Sequence, residues 1–162
     1  MIFVTIGCAL PFDRLITAMD SWAATHPETG IFAQIGAATL TPAHMPHRRL
    51  LSPLQYRARV AQSRVIVAHA GMGSIITACQ LGKPIVLLPR RAAAREHTTD
   101  HQLATARRFR HVPGIFVADD IAELAPQIAA AAAFGPAPQR LSPHAPAAFT
   151  DRLRAAIFEL CP

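Results

Sequence analysis

The segment VIVAHAGMGSIITACQLGKP, residues 65–84, concentrates the side chains of this chain that could do chemistry. An apolar run ends at His69, and Gly71, Gly73 and Ser74 follow before a helix-forming stretch. Glycines allow a ligand to approach the backbone, and the first amides of a helix, aided by its dipole, favour an anion. His69 could donate to that anion, while Ser74 could cap the helix and reach a phosphate oxygen. The pattern predicts a diphosphate pocket.

A second interpretation of this segment needs no ligand. Gly71 and Gly73 could serve only to make a tight turn, with His69 as a buried histidine satisfied inside the protein. Arg90 and Arg91, after the next apolar run, are similarly open to two interpretations. They could neutralise a diphosphate or a carboxylate on a sugar, or they could form a solvated charged loop.

A metal site is suggested by one short stretch and then disfavoured by its order. His97 and His101 stand four residues apart, with Glu96 and Asp100 beside them. The order EHTTDH lacks the HExxH pattern, in which a glutamate directly follows the first histidine ligand. We therefore predict no metal and no other cofactor.

The elements that position these residues alternate between strands and helices. Continuous apolar runs predict strands at 2–7, 31–36, 64–70, 85–89 and 115–118, with a weaker one at 48–52. Helical patterns occupy 11–23, 53–62, 74–81, 101–109 and 120–133. Asp100 is expected to cap the fourth helix, and Asp120 and Glu123 have the spacing of a capping box for the fifth. This alternation predicts an α/β fold, a Rossmann-like parallel sheet with helices on both faces.

The carboxy-terminal part of the chain has a different composition. We expect residues 1–133 to form the sheet domain and residues 134–148, rich in Pro and Ala, to form a linker. A last helix at 149–162, capped by Thr150, would then dock on this domain or on another chain. Its apolar stripe consists of Leu153, Ala156, Ile157 and Leu160.

Composition excludes several classes of protein. The chain has 162 residues and a net charge of +6, carried almost wholly by arginine, but a single Trp and a single Tyr. Without basic stretches interleaved with aromatic residues, binding to nucleic acid is not expected. Cys8, Cys79 and Cys161 lie far apart, which favours a reduced, cytoplasmic chain. No segment is apolar over a length that could span a bilayer.

The ordered series HAGMGS, LGKP, LLPRR and DHQ resembles a known family. It is similar to the carboxy-terminal, donor-binding half of family 28 glycosyltransferases, which have the GT-B architecture. The resemblance is greatest to stand-alone versions of that half. These are the catalytic subunit of the two-part enzyme that adds the second GlcNAc to a dolichol-linked sugar, and bacterial exopolysaccharide subunits that work beside a membrane-bound partner.

The resemblance implies a role for each matching residue. Gly7 corresponds to the glycine-rich loop that faces the nucleotide sugar, and Thr77 stands where many relatives carry an acidic residue for the ribose hydroxyls. The phosphates of UDP would be held by His69, Gly71, Gly73 and Ser74. The hydroxyls of the donor sugar would be held by Asp100, His101 and Gln102.

The function implied is that of a donor-binding subunit of a split, inverting glycosyltransferase. It would move a sugar from a UDP-sugar to a lipid-linked saccharide acceptor in polysaccharide biosynthesis. A membrane-anchored partner would supply the acceptor site and usually the catalytic base, and would recruit the chain to the inner face of the membrane. Two alternatives remain: a UDP-sugar hydrolase or epimerase on the same half-fold, and a noncatalytic module that binds nucleotide sugars.

Overall fold

A single parallel sheet organises the computed structural model, which describes residues 1–136, 142 and 144–160. The strands are β1 (Ile2–Thr5), β2 (Ile31–Gln34), β3 (His47–Arg48), β4 (Val65–His69), β5 (Ile85–Leu88) and β6 (Ile115–Val117). Their order across the sheet is β3-β2-β1-β4-β5-β6, and each neighbouring pair is parallel. The predicted Rossmann-like α/β class is confirmed.

The helices follow the strands in turn. They are α1 (Asp13–Thr25), α2 (Pro53–Gln62), α3 (Met72–Gln80), α4 (His101–Phe109), α5 (Leu124–Phe134) and α6 (Ala147–Leu160). Two short 3-10 turns lie at Ala92–Ala94 and Ile121–Glu123. None of the helices in the described part of the chain combines the length and the apolar character needed to cross a membrane.

Both faces of the sheet are buried, which explains why its strands are continuously apolar. Alternate strand residues belong to two separate cores. Val4 and Val67 pack in one core with α1 and α5, whereas Phe3 and Ile66 pack in the other with residues of α2, α3 and α4. From β1 the chain adds strands first on one side of the sheet (β2 and β3) and then on the other (β4 to β6). A crevice is therefore expected at the carboxyl ends of β1 and β4.

Helix α3 begins two residues earlier than the sequence predicts. Gly71 occupies the N-cap position and makes no side-chain cap, so Ser74 lies within the first turn. The prediction that Ser74 caps this helix is therefore wrong. Its Oγ instead accepts a hydrogen bond from the Tyr56 hydroxyl at 3.1 Å.

Three other predicted caps are also wrong in their side-chain geometry. Asp100 occupies the N-cap position of α4, as predicted, but its carboxylate accepts from the backbone amide of Ala92 and not from an amide of α4. Asp120 caps the 3-10 turn instead, because its Oδ1 accepts from the Ile121 amide at 2.6 Å. Glu123 accepts from the amide of Asp119, so no capping box forms for α5. Helix α6 begins at Ala147, so the Thr150 hydroxyl donates back to the Ala147 carbonyl at 2.8 Å.

The last helix is exposed along its whole described length. Leu153 and Ile157 of the predicted stripe are 51% and 52% exposed, and Phe149 extends this stripe by one turn. Of the predicted linker 134–148, residue 134 ends α5, residues 147–148 begin α6, and residues 137–141 and 143 lie outside the described residues.

Candidate functional site

A cavity of about 410 Å³ lies at the crevice between β1 and β4. It is lined by Thr5, Ile6, Gly7, Cys8, Ala9, Gln34, Tyr56, His69, Gly73, Ser74, Thr77 and Arg90. Six of the predicted site residues are therefore brought together here, namely Gly7, His69, Gly73, Ser74, Thr77 and Arg90. The carboxyl ends of parallel strands are where ligands bind in such sheets.

The amino terminus of α3 forms one wall of this cavity. The Gly71 amide donates to the His69 carbonyl, and the Ile75 amide donates to the Gly71 carbonyl. The amides between them belong to the first turn, where a helix has no internal acceptors. A Cβ placed on Gly73 would meet no atom within 4 Å, so the backbone is open to a ligand here. This wall can bind an anion through amides and the helix dipole.

The imidazole of His69 fills the space that two glycines leave. A Cβ on Gly71 would lie 2.2 Å from His69 Nε2, and one on Gly7 would lie 3.1 Å from His69 Cε1. Gly7 also has a φ of +76°, which favours glycine. Gly71 thus serves the packing of the imidazole rather than the direct approach of a ligand, whereas Gly73 remains open.

His69 is held in its neutral form. Burial, followed by the positive charge of Arg90, lowers the pKa of His69 to about 4, against the smaller, opposing effect of the Thr5 backbone. At neutral pH the ring can therefore offer an N–H group to a ligand but no positive charge. Its Nδ1 atom is buried without a hydrogen bond of acceptable geometry, so it is not the fully satisfied histidine of the second interpretation.

Unpaired polar atoms are concentrated around the same cavity. Within the described residues, the buried side-chain atoms without a hydrogen-bond partner are Gln34 Oε1, His69 Nδ1, Arg90 Nε and Arg14 Nη1. The first three belong to residues that line the cavity. Because an unpaired buried polar group is costly, such a concentration points to a polar ligand that completes these hydrogen bonds.

The two predicted arginines have different positions. Arg90 is 4% exposed, and its Nη2 donates to the carbonyls of Ile6 (2.9 Å) and Leu10 (2.7 Å). These hydrogen bonds stabilise the loop after β1, and the guanidinium places a positive charge in the wall of the cavity. Arg91 donates instead to the Asp119 carbonyl and lies 4.0 Å from the Asp120 carboxylate, away from the cavity lining.

The residues predicted to hold the donor sugar do not line the cavity. Gln102 is 3% exposed, and its Oε1 accepts from the amides of Ala70 and Arg90, both at 3.2 Å. It joins the ends of β4 and β5 from below the site. Asp100 stands at the N-cap of α4 and His101 is the first residue of that helix. Both are exposed, and His101 Nδ1 contacts Thr99 Oγ1 at 2.8 Å. Their contact with a sugar stays a prediction.

Three polar residues of the lining escaped the sequence analysis. Thr5 and Gln34 end the apolar strands IFVT and IFAQ, and a polar residue in that position is a signal that could have identified them. Gln34 Nε2 also donates to the Gly7 carbonyl at 3.4 Å. Tyr56 lies on α2, and burial raises the pKa of its hydroxyl. Nothing in its local sequence marks it, because its contact with Ser74 joins residues 18 positions apart.

The solved structures that share this fold include CalG4, MurG and ALG13. CalG4, described as the calicheamicin glycosyltransferase, is 17% identical with a TM-score of 0.59, covering 99% of this chain and 44% of its own. MurG of Acinetobacter baumannii is 17% identical with a TM-score of 0.52, covering 78% of this chain and 38% of its own. ALG13 is 17% identical with a TM-score of 0.57, covering 94% of this chain and 93% of its own.

At such identities these likenesses show the fold, which is that of one half of a GT-B enzyme. The chain spans less than half the length of CalG4 and of MurG. No curated protein sequence matches it significantly. Residues 1–135, however, match the glycosyltransferase family 28 C-terminal domain over all six strands. The chain therefore belongs to glycosyltransferase family 28 through its C-terminal, donor-binding domain.

Proposed function

We propose that this chain is the donor-binding subunit of a two-component inverting glycosyltransferase, and that its donor is a UDP-sugar. The observation that carries the proposal is the cavity at the amino terminus of α3, where open backbone meets three buried, unpaired polar atoms. The family assignment supports a nucleotide-sugar donor. The choice of UDP rests on the resemblance of the motif HAGMGS to the family's phosphate segment.

The geometry favours departure of the diphosphate. Negative charge that develops on the leaving group would meet the amides of Gly73 and Ser74 and the positive end of the α3 dipole. Arg90 adds a buried cation beside them, and neutral His69 adds a hydrogen-bond donor. Thr77 would lie next to the ribose, although its hydroxyl also donates to the Gly73 carbonyl at 2.8 Å. In this proposal the transfer requires no metal.

A partner subunit is the second part of the proposal. Because full-length relatives of this fold are more than twice as long, a second half would bring the acceptor site and the catalytic base. ALG13 is similar to this chain in length as well as in fold. We propose a membrane-anchored partner, a lipid-linked saccharide acceptor and recruitment to the cytoplasmic face of the membrane. The exposed apolar stripe of α6 offers a surface for that partner.

Calorimetry with UDP, UMP and uridine tests the phosphate site. UDP should bind more tightly than uridine, and Gly73→Val should remove that difference because its side chain would occupy the open space. Gly30→Val is the matched control, because Gly30 directly precedes β2, at the amino end of the strands and away from the cavity. A Cβ at Gly30 would make only ordinary contacts. Equal affinities for uridine and UDP in the unchanged protein would refute the site.

Release of UDP distinguishes the proposed transferase from its alternatives. With the partner and a lipid-linked acceptor present, UDP should appear together with a lengthened lipid-linked saccharide. Release of UDP and free sugar by the chain alone would identify a hydrolase. Binding of UDP-sugar without any turnover, even with a partner that forms a complex, would identify a noncatalytic module.

A further inference from the structure

A groove of about 840 Å³ lies along the β3 edge of the sheet and shares no lining residue with the cavity described above. Phe32 lines this groove, and the guanidinium of Arg59 lies 3.9 Å from the centre of the Phe32 ring. Arg48 and His47 also line the groove. His44 also lines it, but its Nδ1 lies 3.2 Å from the carboxylate of Asp20. The groove is therefore basic.

The charge around this groove is not balanced along the chain. Between Glu28 and Glu96 the sequence contains no Asp or Glu, and five arginines fall between residues 48 and 64. Within the described residues, neither Arg48 nor Arg57 forms an ion pair. Such a one-sided distribution favours an anionic partner.

Two exposed leucines stand beside these arginines. Leu50 is 62% exposed and follows β3, while Leu54 is 79% exposed and lies in the first turn of α2. Tyr56 and Val60 face inward, so helical spacing places Leu54 and Ala58 at the outermost part of α2. Arg57 lies to one side of that apolar ridge and Arg59 to the other. Exposed leucines flanked by cations are typical of surfaces that lie in a membrane interface.

We propose that this surface, formed by Arg48, Leu50, Leu54, Arg57 and Arg59 and called here the α2 surface, binds directly to anionic lipid membranes. The leucines enter the boundary between head groups and acyl chains, and the arginines contact lipid phosphates. A membrane fits better than an acidic protein because the leucines project individually beside cations instead of forming one broad apolar patch. The inference does not depend on the proposed function.

The position of the α2 surface gives it a consequence for the cavity. Leu50 follows the carboxyl end of β3 and Leu54 lies in the first turn of α2, so both lie at the carboxyl ends of the strands, where the cavity opens. Tyr56 of the same helix lines that cavity. Membrane contact through the α2 surface therefore brings the cavity close to the lipid head groups.

Sedimentation with vesicles tests this inference on the full chain. One set of vesicles is pure phosphatidylcholine, and the other contains about one-third phosphatidylglycerol. The chain should bind the anionic vesicles and not the neutral ones, and added salt should weaken the binding. The double variant Leu50→Ser/Leu54→Ser should bind anionic vesicles at least roughly tenfold more weakly than the unchanged chain, because it removes the inserting side chains. The variant Arg48→Gln/Arg57→Gln should lose affinity to a similar degree.

Arg107→Gln/Arg108→Gln is the matched control, because both arginines are exposed at the end of α4 and the change in net charge is the same. This control should retain most of the binding. Equal losses of binding in the two arginine variants would mean that binding depends only on net charge, and would overturn the inference. Unchanged binding by the leucine variant, or no binding of the unchanged chain to anionic vesicles, would also overturn it. Loss of binding on Leu153→Ser/Ile157→Ser alone would assign the lipid contact to α6 instead.

Discussion

Arg14 and Glu96 form a bidentate salt bridge between the start of α1 and the loop that follows β5. Arg14 Nε lies 2.6 Å from Glu96 Oε1, and Arg14 Nη2 lies 2.8 Å from Glu96 Oε2. The same carboxylate accepts from the Arg91 amide at 2.9 Å, and Arg14 also donates to the Pro89 carbonyl. The two side chains are only 19% and 10% exposed. This pair therefore holds the loop beside Arg90, which lines the cavity.

Replacing Glu96 should destabilise the fold. Glu96→Gln leaves the mostly buried guanidinium of Arg14 with only the exposed carboxylate of Asp120, 4.0 Å away, as a counter-charge. We expect a loss of about 2–4 kcal/mol in the free energy of unfolding. Urea denaturation measures it. Asp151→Asn is the control, because the Arg154–Asp151 pair is exposed and should contribute less than about 1 kcal/mol. Similar losses in both variants would contradict this role of Glu96.

Gln102 is expected to act through the loops rather than on the donor sugar. Its Oε1 accepts from two backbone amides, so Gln102→Ala leaves both unpaired and should cost about 1–3 kcal/mol of stability. Because those amides position the α3 turn and Arg90, binding of UDP and of UDP-sugar should weaken together. Gln62→Ala, at the exposed end of α2, should change neither property.

Denaturation and calorimetry on the same Gln102 and Gln62 variants decide the matter. If Gln102→Ala weakens the UDP-sugar but leaves UDP binding and stability unchanged, Gln102 contacts the sugar, as the family resemblance implies. That result would require the side chain to turn out of the position it has here.

Stability should depend on pH through His69. Its pKa falls from 6.5 in the unfolded chain to about 4 in the fold, so the unfolded state binds more protons between these values. The stabilisation is complete above about pH 6.5 and is lost as the pH falls towards 4, by a total of about 3 kcal/mol. Chemical denaturation across this range measures the slope.

The variant His69→Gln should reduce that slope, whatever its effect on absolute stability. His111→Gln is the control, because His111 is exposed. A slope that remains unchanged in His69→Gln would mean that another group binds the proton.

The positions of the strands and their burial on both faces of the sheet could be predicted, because burial on two faces imposes a local, continuous apolar pattern. Ile66 and Val67 are apolar for opposite sides of the sheet, and no distant residue is needed to recognise this. The glycine and histidine turn was predictable for the same reason, since a strand, a turn and a helix succeed one another within ten residues.

The side-chain partners could not be predicted, because they depend on contacts distant in sequence. Ser74 and Asp100 have the right types and spacing for caps, but each is taken by a group from another element, Tyr56 and Ala92 respectively. From its sequence context Gln102 is predicted to bind the donor sugar. In the folded chain its Oε1 instead accepts from the amide of Ala70, which lies 32 residues away in sequence. Local competition between a cap and a tertiary hydrogen bond is decided only by the assembled structure.

The last prediction concerns α6, whose apolar stripe includes Phe149, Leu153 and Ile157. Since its described side chains are all exposed, deleting residues 147–162 should leave the free energy of unfolding of the sheet domain within about 1 kcal/mol and UDP binding unchanged. The truncated chain should lose capture of the partner and transferase activity, while binding to anionic vesicles through the α2 surface persists. Circular dichroism, a pull-down with the partner and vesicle sedimentation measure these properties separately. Unfolding of the truncated chain would place α6 in the core, and undiminished capture of the partner would place the interface elsewhere.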